Sequence, residues 1–344
     1  MTILFIDPVC PAPYAARSLA EGALGGTEAT VVRVAEGLAA RGHAVTVAQH
    51  TRTEPERSAS GVHYTPYDFK SGTPRLAGAE AVVVLRAHKT LLRIRRHYPE
   101  ARLFLWRHCF AGSGCKALGD IVRETGAHAV AVSHHHAQTL RAFVAEHSGD
   151  AVPVSVCYNP VELEPDETPV QPNKLVFFSS PHKGLDQVLR AFEAARAWRP
   201  DLQLFVANPG YLSQEHRLPR GVVTLGALPH REVIGHVREA FCVFYPQSTF
   251  AETFGLVFAE ANAVGTPVLT HPIGSAGEVL GETPEAGGQL VDARDVGAVV
   301  ARLRQWHETG RPGVKARQAF RLGRVLDGWE ALLSRQSVPT HDVV

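Results

Sequence analysis

Short apolar runs alternate with longer amphipathic segments along the whole chain. Apolar residues at helical spacing predict helices over residues 27–40 and 184–198 and a last helix over 314–334. The apolar runs predict ten strands, at 3–6, 44–48, 80–85, 103–106, 128–132, 174–178, 202–207, 222–225, 241–245 and 267–270. Residues 153–172, rich in Pro and Glu, interrupt the pattern and predict a linker. This rhythm is typical of α/β proteins with two doubly wound, Rossmann-like parallel sheets.

Length and charge narrow the class of protein. A chain of 344 residues with 45% hydrophobic and 20% charged residues is long enough for two folded domains and too apolar to be disordered. The formal net charge of +1 argues against a general nucleic-acid binder. Five scattered cysteines without a CxxC pair predict neither a disulfide framework nor a zinc site. The first residues read as a strand rather than a signal peptide, so we expect a cytoplasmic protein.

Ligands of open α/β sheets bind beyond the carboxyl ends of the strands, where loops lead into helices. The first such turn carries Gly25, Gly26, Thr27 and Glu28. Paired glycines at a helix start let the backbone approach a phosphate. The alternative is a flexible loop capped by Thr27. The turn lacks GxGxxG, which argues against a dinucleotide-dependent dehydrogenase.

A second turn follows the strand at 174–178 and contains Ser179, Ser180 and Lys183. Two hydroxyls, backbone N–H groups and a cation at a helix start are suited to a diphosphate. The alternative is an ordinary surface turn with a solvated lysine.

A third turn follows the strand at 241–245 and carries Glu252 and Glu260. The two carboxylates lie eight residues apart, so a helix beginning near Glu252 would project both to the same side. Glu260 lies among apolar and small residues, where a glutamate needs a basic partner or a ligand hydroxyl. The alternative is one structural and one solvent-facing glutamate.

These glutamates form an E-x7-E pattern that resembles retaining glycosyltransferases of family 4. The residues around each glutamate, 252–256 and 260–268, carry the resemblance, with further matches at 25–28, 38–47, Ser133, 159–162 and 274–278. The family implies the GT-B fold, in which two Rossmann-like domains face a cleft and a C-terminal helix crosses back to the first. The implied domains are 1–165 on the acceptor side, 166–315 for the nucleotide sugar, and the helix region 316–344.

The resemblance also implies roles for single residues. Glu260 is expected at the ribose hydroxyls, Glu252 and His108 at the transferred sugar, and Lys183 at the leaving diphosphate. Other donor-binding positions are Gly25, Gly26, Ser179, Ser180, Thr253, Phe254, Gly255 and Leu256. The family usually has an arginine a few residues before this lysine, and the segment here has none.

The implied function is transfer of a sugar from a nucleotide-diphosphate sugar to a hydroxyl acceptor, which is a glycan, a lipid-linked molecule or a small molecule. Glu252, Lys183 and His108 form the catalytic set, and the mechanism implied is retaining. No cofactor is expected and, because no Asp-x-Asp cluster is present, no metal either. The alternatives are an epimerase and a non-catalytic nucleotide-sugar-binding protein of the same fold.

A basic run extends from Arg86 to Arg107, with seven Lys or Arg residues and one acid, Glu100. Leucines and an isoleucine interleave with the arginines. One interpretation is peripheral contact with the inner face of a membrane. The other is a solvated helix face whose arginines pair with acids elsewhere in the chain, and the short length and few apolar residues of the segment favour it.

Overall fold

A computed structural model describes residues 1–21, 24–68, 78–207, 218–281 and 288–334. The chain divides into two compact units. The first unit comprises residues 1–17 and 27–160 and the chain from Arg321 onwards, and the second comprises 18–26 and 161–320. The family resemblance implies domain boundaries at residues 165 and 315.

The described residues form thirteen strands and eleven helices. The strands are β1 (Thr2–Asp7), β2 (Ala44–Gln49), β3 (Glu56–Arg57), β4 (His63–Pro66), β5 (Ala81–Leu85), β6 (Arg102–Trp106), β7 (His128–Ala131), β8 (Val154–Val156), β9 (Gln171–Phe177), β10 (Gln203–Ala207), β11 (Val222–Gly226), β12 (Ala240–Tyr245) and β13 (Val268–Thr270). The helices are α1 (Ser18–Glu21), α2 (Gly26–Ala40), α3 (Thr90–His97), α4 (Leu118–Thr125), α5 (His134–Ser148), α6 (Leu185–Trp198), α7 (His230–Glu239), α8 (Leu256–Ala263), α9 (Ala276–Leu280), α10 (Val296–Thr309) and α11 (Leu322–Ser334).

The first unit contains an eight-stranded sheet in the order β3-β4-β2-β1-β5-β6-β7-β8. Only the short β3 runs antiparallel to its neighbour. Strands β1 and β5 are almost entirely buried, as expected when helices cover both faces of a parallel sheet. The register pairs Asp7 with Gln49 at the carboxyl ends of β1 and β2. Polar residues from successive strands therefore meet at one edge.

The second unit contains a five-stranded parallel sheet in the order β11-β10-β9-β12-β13. The central strands β9 and β12 carry the turns that the sequence singled out, because Lys183 follows β9 and Glu252 follows β12. Phe177 and Tyr245, at the ends of these neighbouring strands, stack with ring centroids 5.4 Å apart. The predicted α/β class with two Rossmann-like sheets is confirmed.

The last helix begins later than the sequence predicted. The expected helix started at residue 314, whereas α11 begins at Leu322 after a short 3-10 turn, Gln318–Phe320. The difference arises at Phe320, whose buried ring packs edge-to-face on Phe254 and whose carbonyl accepts a hydrogen bond from Val161 N. These contacts fix the connection in the second unit before the helix can start.

Helix α11 packs on the first unit, as the fold class predicted. Trp329 is fully buried, with its ring 6.2 Å from that of Phe5 and 4.6 Å from that of Trp106. Arg41 and His43 bind Glu330 on the same helix. The C-terminal helix therefore completes the core of the first unit.

We expect Gly37→Ala to destabilise the first unit by about 1–2 kcal/mol, because a Cβ there would lie 2.6 Å from Leu326 Cδ1 on α11. Helix propensity alone would give the opposite sign, about 1 kcal/mol of stabilisation. The matched control is Gly328→Ala on α11, where a Cβ meets nothing within 4 Å. Thermal unfolding should show opposite shifts, and a stabilising Gly37→Ala would contradict this packing.

Candidate functional site

The turn after β9 brings a cation to the carboxyl edge of the second sheet. Ser180 and Lys183 close a turn through a bond of 2.9 Å from Lys183 N to Ser180 O. The next residue, Gly184, has φ +91° and precedes α6, and a Cβ there would lie 2.6 Å from Gln247 Cβ. Both the backbone conformation and the close approach therefore require glycine.

Lys183 and Glu252 form an ion pair, although 69 residues separate them in sequence. The lysine Nζ lies 2.8 Å from Oε1 and 3.0 Å from Oε2 of the carboxylate. The buried Tyr245 hydroxyl donates to Oε1 at 3.2 Å, and burial followed by the Glu252 charge raises the pKa of this tyrosine well above its usual range. Tyr245 is therefore a neutral donor to Glu252.

The loop after β12 adds an aromatic face to the lysine. Gln247 is buried and folds this loop by donating to Phe250 O and accepting from Phe250 N, both at 2.8 Å. The Phe250 ring then lies 4.8 Å from Lys183 Nζ, a cation–π distance. The ammonium group thus has a carboxylate and a ring as neighbours.

The helix that carries Glu260 begins at Leu256, so the expectation of a helix from about Glu252 is wrong. Gly255, with φ +79°, precedes α8 and ends the extended loop. Glu252 lies in that loop, where its carbonyl accepts from Ser275 N and Ser275 Oγ. A Cβ at Gly274 would lie 2.7 Å from the same carbonyl oxygen. The two glutamates are thus held by different elements.

Glu260 has a basic partner, as its apolar surroundings required. Its Oε1 lies 3.0 Å from Nε2 of His230, the first residue of α7. The residue is buried, whereas the His230 side chain is 32% exposed. A carboxylate fixed in this way is suited to accept hydrogen bonds from vicinal hydroxyls.

The other predicted donor-binding residues differ in their burial and in the contacts that they make. Ser179 and Ser180 are buried, and Ser180 Oγ has no hydrogen-bond partner among the described residues. Phe254 directs its ring to Phe320, so only its backbone is available to a ligand. Thr253 and Leu256 are half-buried, and Gly255 is buried.

In the predicted glycine turn, Gly26 lies close to Leu256 at the start of α8. Gly26 starts α2, and a Cβ there would lie 2.8 Å from Leu256 Cδ1. The segment 18–26, which includes Gly25, clusters with the second unit. A side chain at position 26 would therefore crowd the start of α8.

His108 belongs to the first unit and follows β6. Burial lowers its pKa well below the usual range, and the charges of Arg86, His136 and Arg107 lower it further. Its ring lies 4.6 Å from that of Trp106. His108 is therefore a neutral imidazole at physiological pH, able to act as a hydrogen-bond donor or acceptor.

A charged cluster that the sequence analysis missed lies at the same edge of the first sheet. Arg86 donates to both oxygens of Asp7 at 2.9 and 3.0 Å and to Glu28 at 3.2 Å. The Tyr14 hydroxyl donates to Asp7 at 3.0 Å. Arg86 has φ +59°, the one described non-glycine residue in the left-handed region. Strain of this kind concentrates at functional sites.

The positions of these polar residues along the sequence could have revealed the cluster. Asp7 ends β1, Gln49 ends β2, and Arg86 and Arg107 directly follow β5 and β6. A polar residue at the carboxyl end of each apolar strand marks the ligand edge of a parallel sheet. In the charge pattern alone, Arg86 and Arg107 are only the ends of a basic run.

The residues of the basic run from Arg86 to Arg107 make different kinds of contact. Arg86 and Arg107 bond within the first unit, and Arg95 Nε donates to Thr125 O at 2.8 Å. Leu91 and Ile94 of α3 are buried in its core. Arg86 therefore pairs with acids that are distant in sequence, as one interpretation predicted. Contact of the basic run with a membrane stays a prediction.

Metal-ligand clusters and membrane-spanning helices are both absent from the described residues. No group of three or more His, Cys, Asp or Glu there is arranged to hold a metal ion. None of the helices in that part of the chain combines the length and the apolar character that a bilayer crossing requires.

Residues 165–321, nearly all of which belong to the second unit, match the family model of glycosyl transferases group 1. A GDP-mannose-dependent monoacylated alpha-(1-6)-phosphatidylinositol monomannoside mannosyltransferase of Corynebacterium glutamicum is 34% identical over 126 residues, 34% of this chain and 32% of the relative. Glycogen synthase of Mycobacterium tuberculosis is 31% identical over 131 residues, 36% of this chain and 30% of the relative. The match spans about a third of each relative's length.

Solved structures extend the likeness to the whole chain. Sucrose-phosphate synthase from Thermosynechococcus elongatus superposes with a TM-score of 0.69 at 16% identity and 96% coverage of both chains. A glycosyltransferase from Rickettsia africae gives 0.66 at 14% identity, with 96% and 97% covered. At this identity the likeness concerns the fold alone, and that fold is GT-B.

Proposed function

We propose that this protein is a retaining, metal-independent glycosyltransferase that moves a sugar from a nucleotide-diphosphate sugar to a hydroxyl acceptor. The observation that carries the proposal is the Lys183–Glu252 ion pair, which joins the turns after the adjacent strands β9 and β12 within the residues that match glycosyl transferases group 1. Buried Glu260, on the following helix α8, is held by His230. A cation and two buried carboxylates provide the charges needed for a diphosphate and for two sets of sugar hydroxyls.

In the proposed reaction the bond between the sugar and the diphosphate breaks, and negative charge develops on the leaving phosphate. Lys183 neutralises that charge, with the backbone N–H groups at the starts of α6 and α8 in support. Glu252 accepts hydrogen bonds from the transferred sugar, and the departing phosphate takes the acceptor proton. No protein nucleophile is required, so positioning and charge stabilisation supply the rate.

The acceptor is assigned to the first unit and the donor to the second. Neutral His108 is suited to a hydrogen bond with a sugar hydroxyl. The relative from Corynebacterium glutamicum acts, by its name, on a phosphatidylinositol mannoside, so a lipid-linked acceptor and a cytoplasmic location at the membrane belong to the proposal.

A thermal-shift screen of the full chain against UDP, GDP and their sugars tests the donor assignment. Binding should raise the melting temperature, and the stabilisation should grow with the logarithm of the ratio of ligand concentration to dissociation constant. A second assay measures nucleotide release with candidate acceptors. Binding without release from any donor would favour a non-catalytic binding protein, and conversion of the sugar without transfer would favour an epimerase.

We expect Glu260→Ala to weaken nucleotide binding about 10- to 100-fold, because the ribose loses a charged acceptor of two hydrogen bonds. The change should also abolish the preference for a ribonucleotide over its 2′-deoxy analogue. His230→Ala should reduce this preference partially, since it frees Glu260 from its 3.0 Å contact. Exposed Arg231 on α7 gives the matched control, Arg231→Ala. Unchanged ribose discrimination in Glu260→Ala would refute the assignment.

A further inference from the structure

The proposed phosphate cation and the proposed sugar carboxylate are bound to each other. The Lys183 ammonium contacts both oxygens of Glu252, at 2.8 and 3.0 Å. The two side chains are 24% and 10% exposed, so solvent screens the pair less than it screens a surface pair. No other cation forms an ion pair with Glu252 in the described part of the chain.

A diphosphate that binds Lys183 competes with this pair. An ammonium group has three N–H donors, and the short distances to both carboxylate oxygens show that Glu252 engages this group closely. A phosphate at the same ammonium also brings negative charge towards the buried carboxylate, which is unfavourable. Once the phosphate takes the lysine, Glu252 keeps the Tyr245 hydroxyl, a single neutral donor at 3.2 Å.

We infer that the Lys183–Glu252 pair makes the site select a sugar-bearing donor over a bare nucleoside diphosphate, an inference that rests on the proposed function. A donor sugar replaces the lost lysine contact by donating a hydroxyl hydrogen to Glu252. A bare nucleoside diphosphate offers no such donor and leaves the carboxylate undercompensated. Recognition of the phosphate is thus coupled to recognition of the sugar through one ion pair. The bare nucleotide product therefore dissociates more readily than the nucleotide-sugar donor.

The test measures the affinity of the full chain for GDP, GDP-mannose, UDP and UDP-glucose by titration calorimetry. Glu252→Gln keeps the shape of the side chain and removes its charge. We expect this variant to bind the bare nucleoside diphosphate about three- to tenfold more tightly than the wild type, because Lys183 is released. Its preference for the nucleotide sugar should fall. Equal or weaker binding of the bare nucleotide would overturn the inference.

A double-mutant cycle separates this coupling from a structural effect. In a Lys183→Ala background, Glu252→Gln should tighten binding of the nucleoside diphosphate less than in the wild-type background, because only charge repulsion is relieved and no lysine is released. Tyr245→Phe, which removes the neutral donor to Glu252, should change affinity in the opposite direction and weaken binding of the bare nucleotide. This variant also serves if Glu252→Gln fails to fold.

The two proposals fail in different ways. A wild-type chain that binds none of the four nucleotides overturns the proposed function, and the inference with it. A wild-type chain that binds them, with an unchanged ratio of sugar-bearing to bare nucleotide in Glu252→Gln, overturns the inference alone. A gain of affinity that is equally large in the Lys183→Ala background also overturns it.

Discussion

Lys183→Ala is expected to lower turnover about 100- to 1000-fold, the largest effect on activity that the site predicts. The proposed reaction builds charge on a leaving diphosphate, and loss of one preorganised group that stabilises such charge costs this much in other enzymes. No arginine lies among residues 177–182, directly before the lysine, so the lysine has less support here. Initial rates with a saturating nucleotide sugar measure the effect.

Two further variants serve as comparisons for the Lys183→Ala rate. Arg190→Ala removes an exposed cation from the same helix, α6, and should leave turnover unchanged. Lys183→Arg keeps the charge but replaces a compact ammonium with a larger planar guanidinium, which places the charge differently at the phosphate, so partial activity is expected. A Lys183→Ala variant within threefold of the wild-type rate would show that another group neutralises the phosphate.

Sequence patterning predicted those parts of the fold that depend on local periodicity. All ten predicted strands are present, because each contains an apolar run that pairs in a parallel sheet. The three strands that were not predicted, β3, β4 and β8, have only two to four residues. Their pairing with longer neighbours, rather than their own pattern, determines them, so a window of local sequence cannot detect them.

The site was predictable as a set of residues but not as a set of contacts. Lys183 and Glu252 were each singled out at a turn, yet their ion pair follows from the adjacency of β9 and β12 in the sheet. Glu260 was expected to need a partner, and the position of His230 on another helix supplied it. Arg86 was misread because its surroundings, Asp7 and Glu28, come from distant segments.

Arg86→Leu is expected to destabilise the first unit by about 3–5 kcal/mol, the largest effect on stability. Asp7 is fully buried, and removal of one partner of a buried ion pair leaves an uncompensated charge. Glu28, also buried, loses its contact at 3.2 Å. For a unit of this size the melting temperature should fall by roughly 10 °C.

Two comparisons separate this loss of charge compensation from loss of side-chain packing. Arg93→Leu removes an exposed arginine of α3 and should change the melting temperature little. Asp7→Asn combined with Arg86→Leu removes the buried carboxylate charge as well, so the double variant should be more stable than Arg86→Leu alone. A double variant that melts lower than Arg86→Leu would mean that the buried Asp7 charge is compensated by other groups, such as the Tyr14 hydroxyl at 3.0 Å.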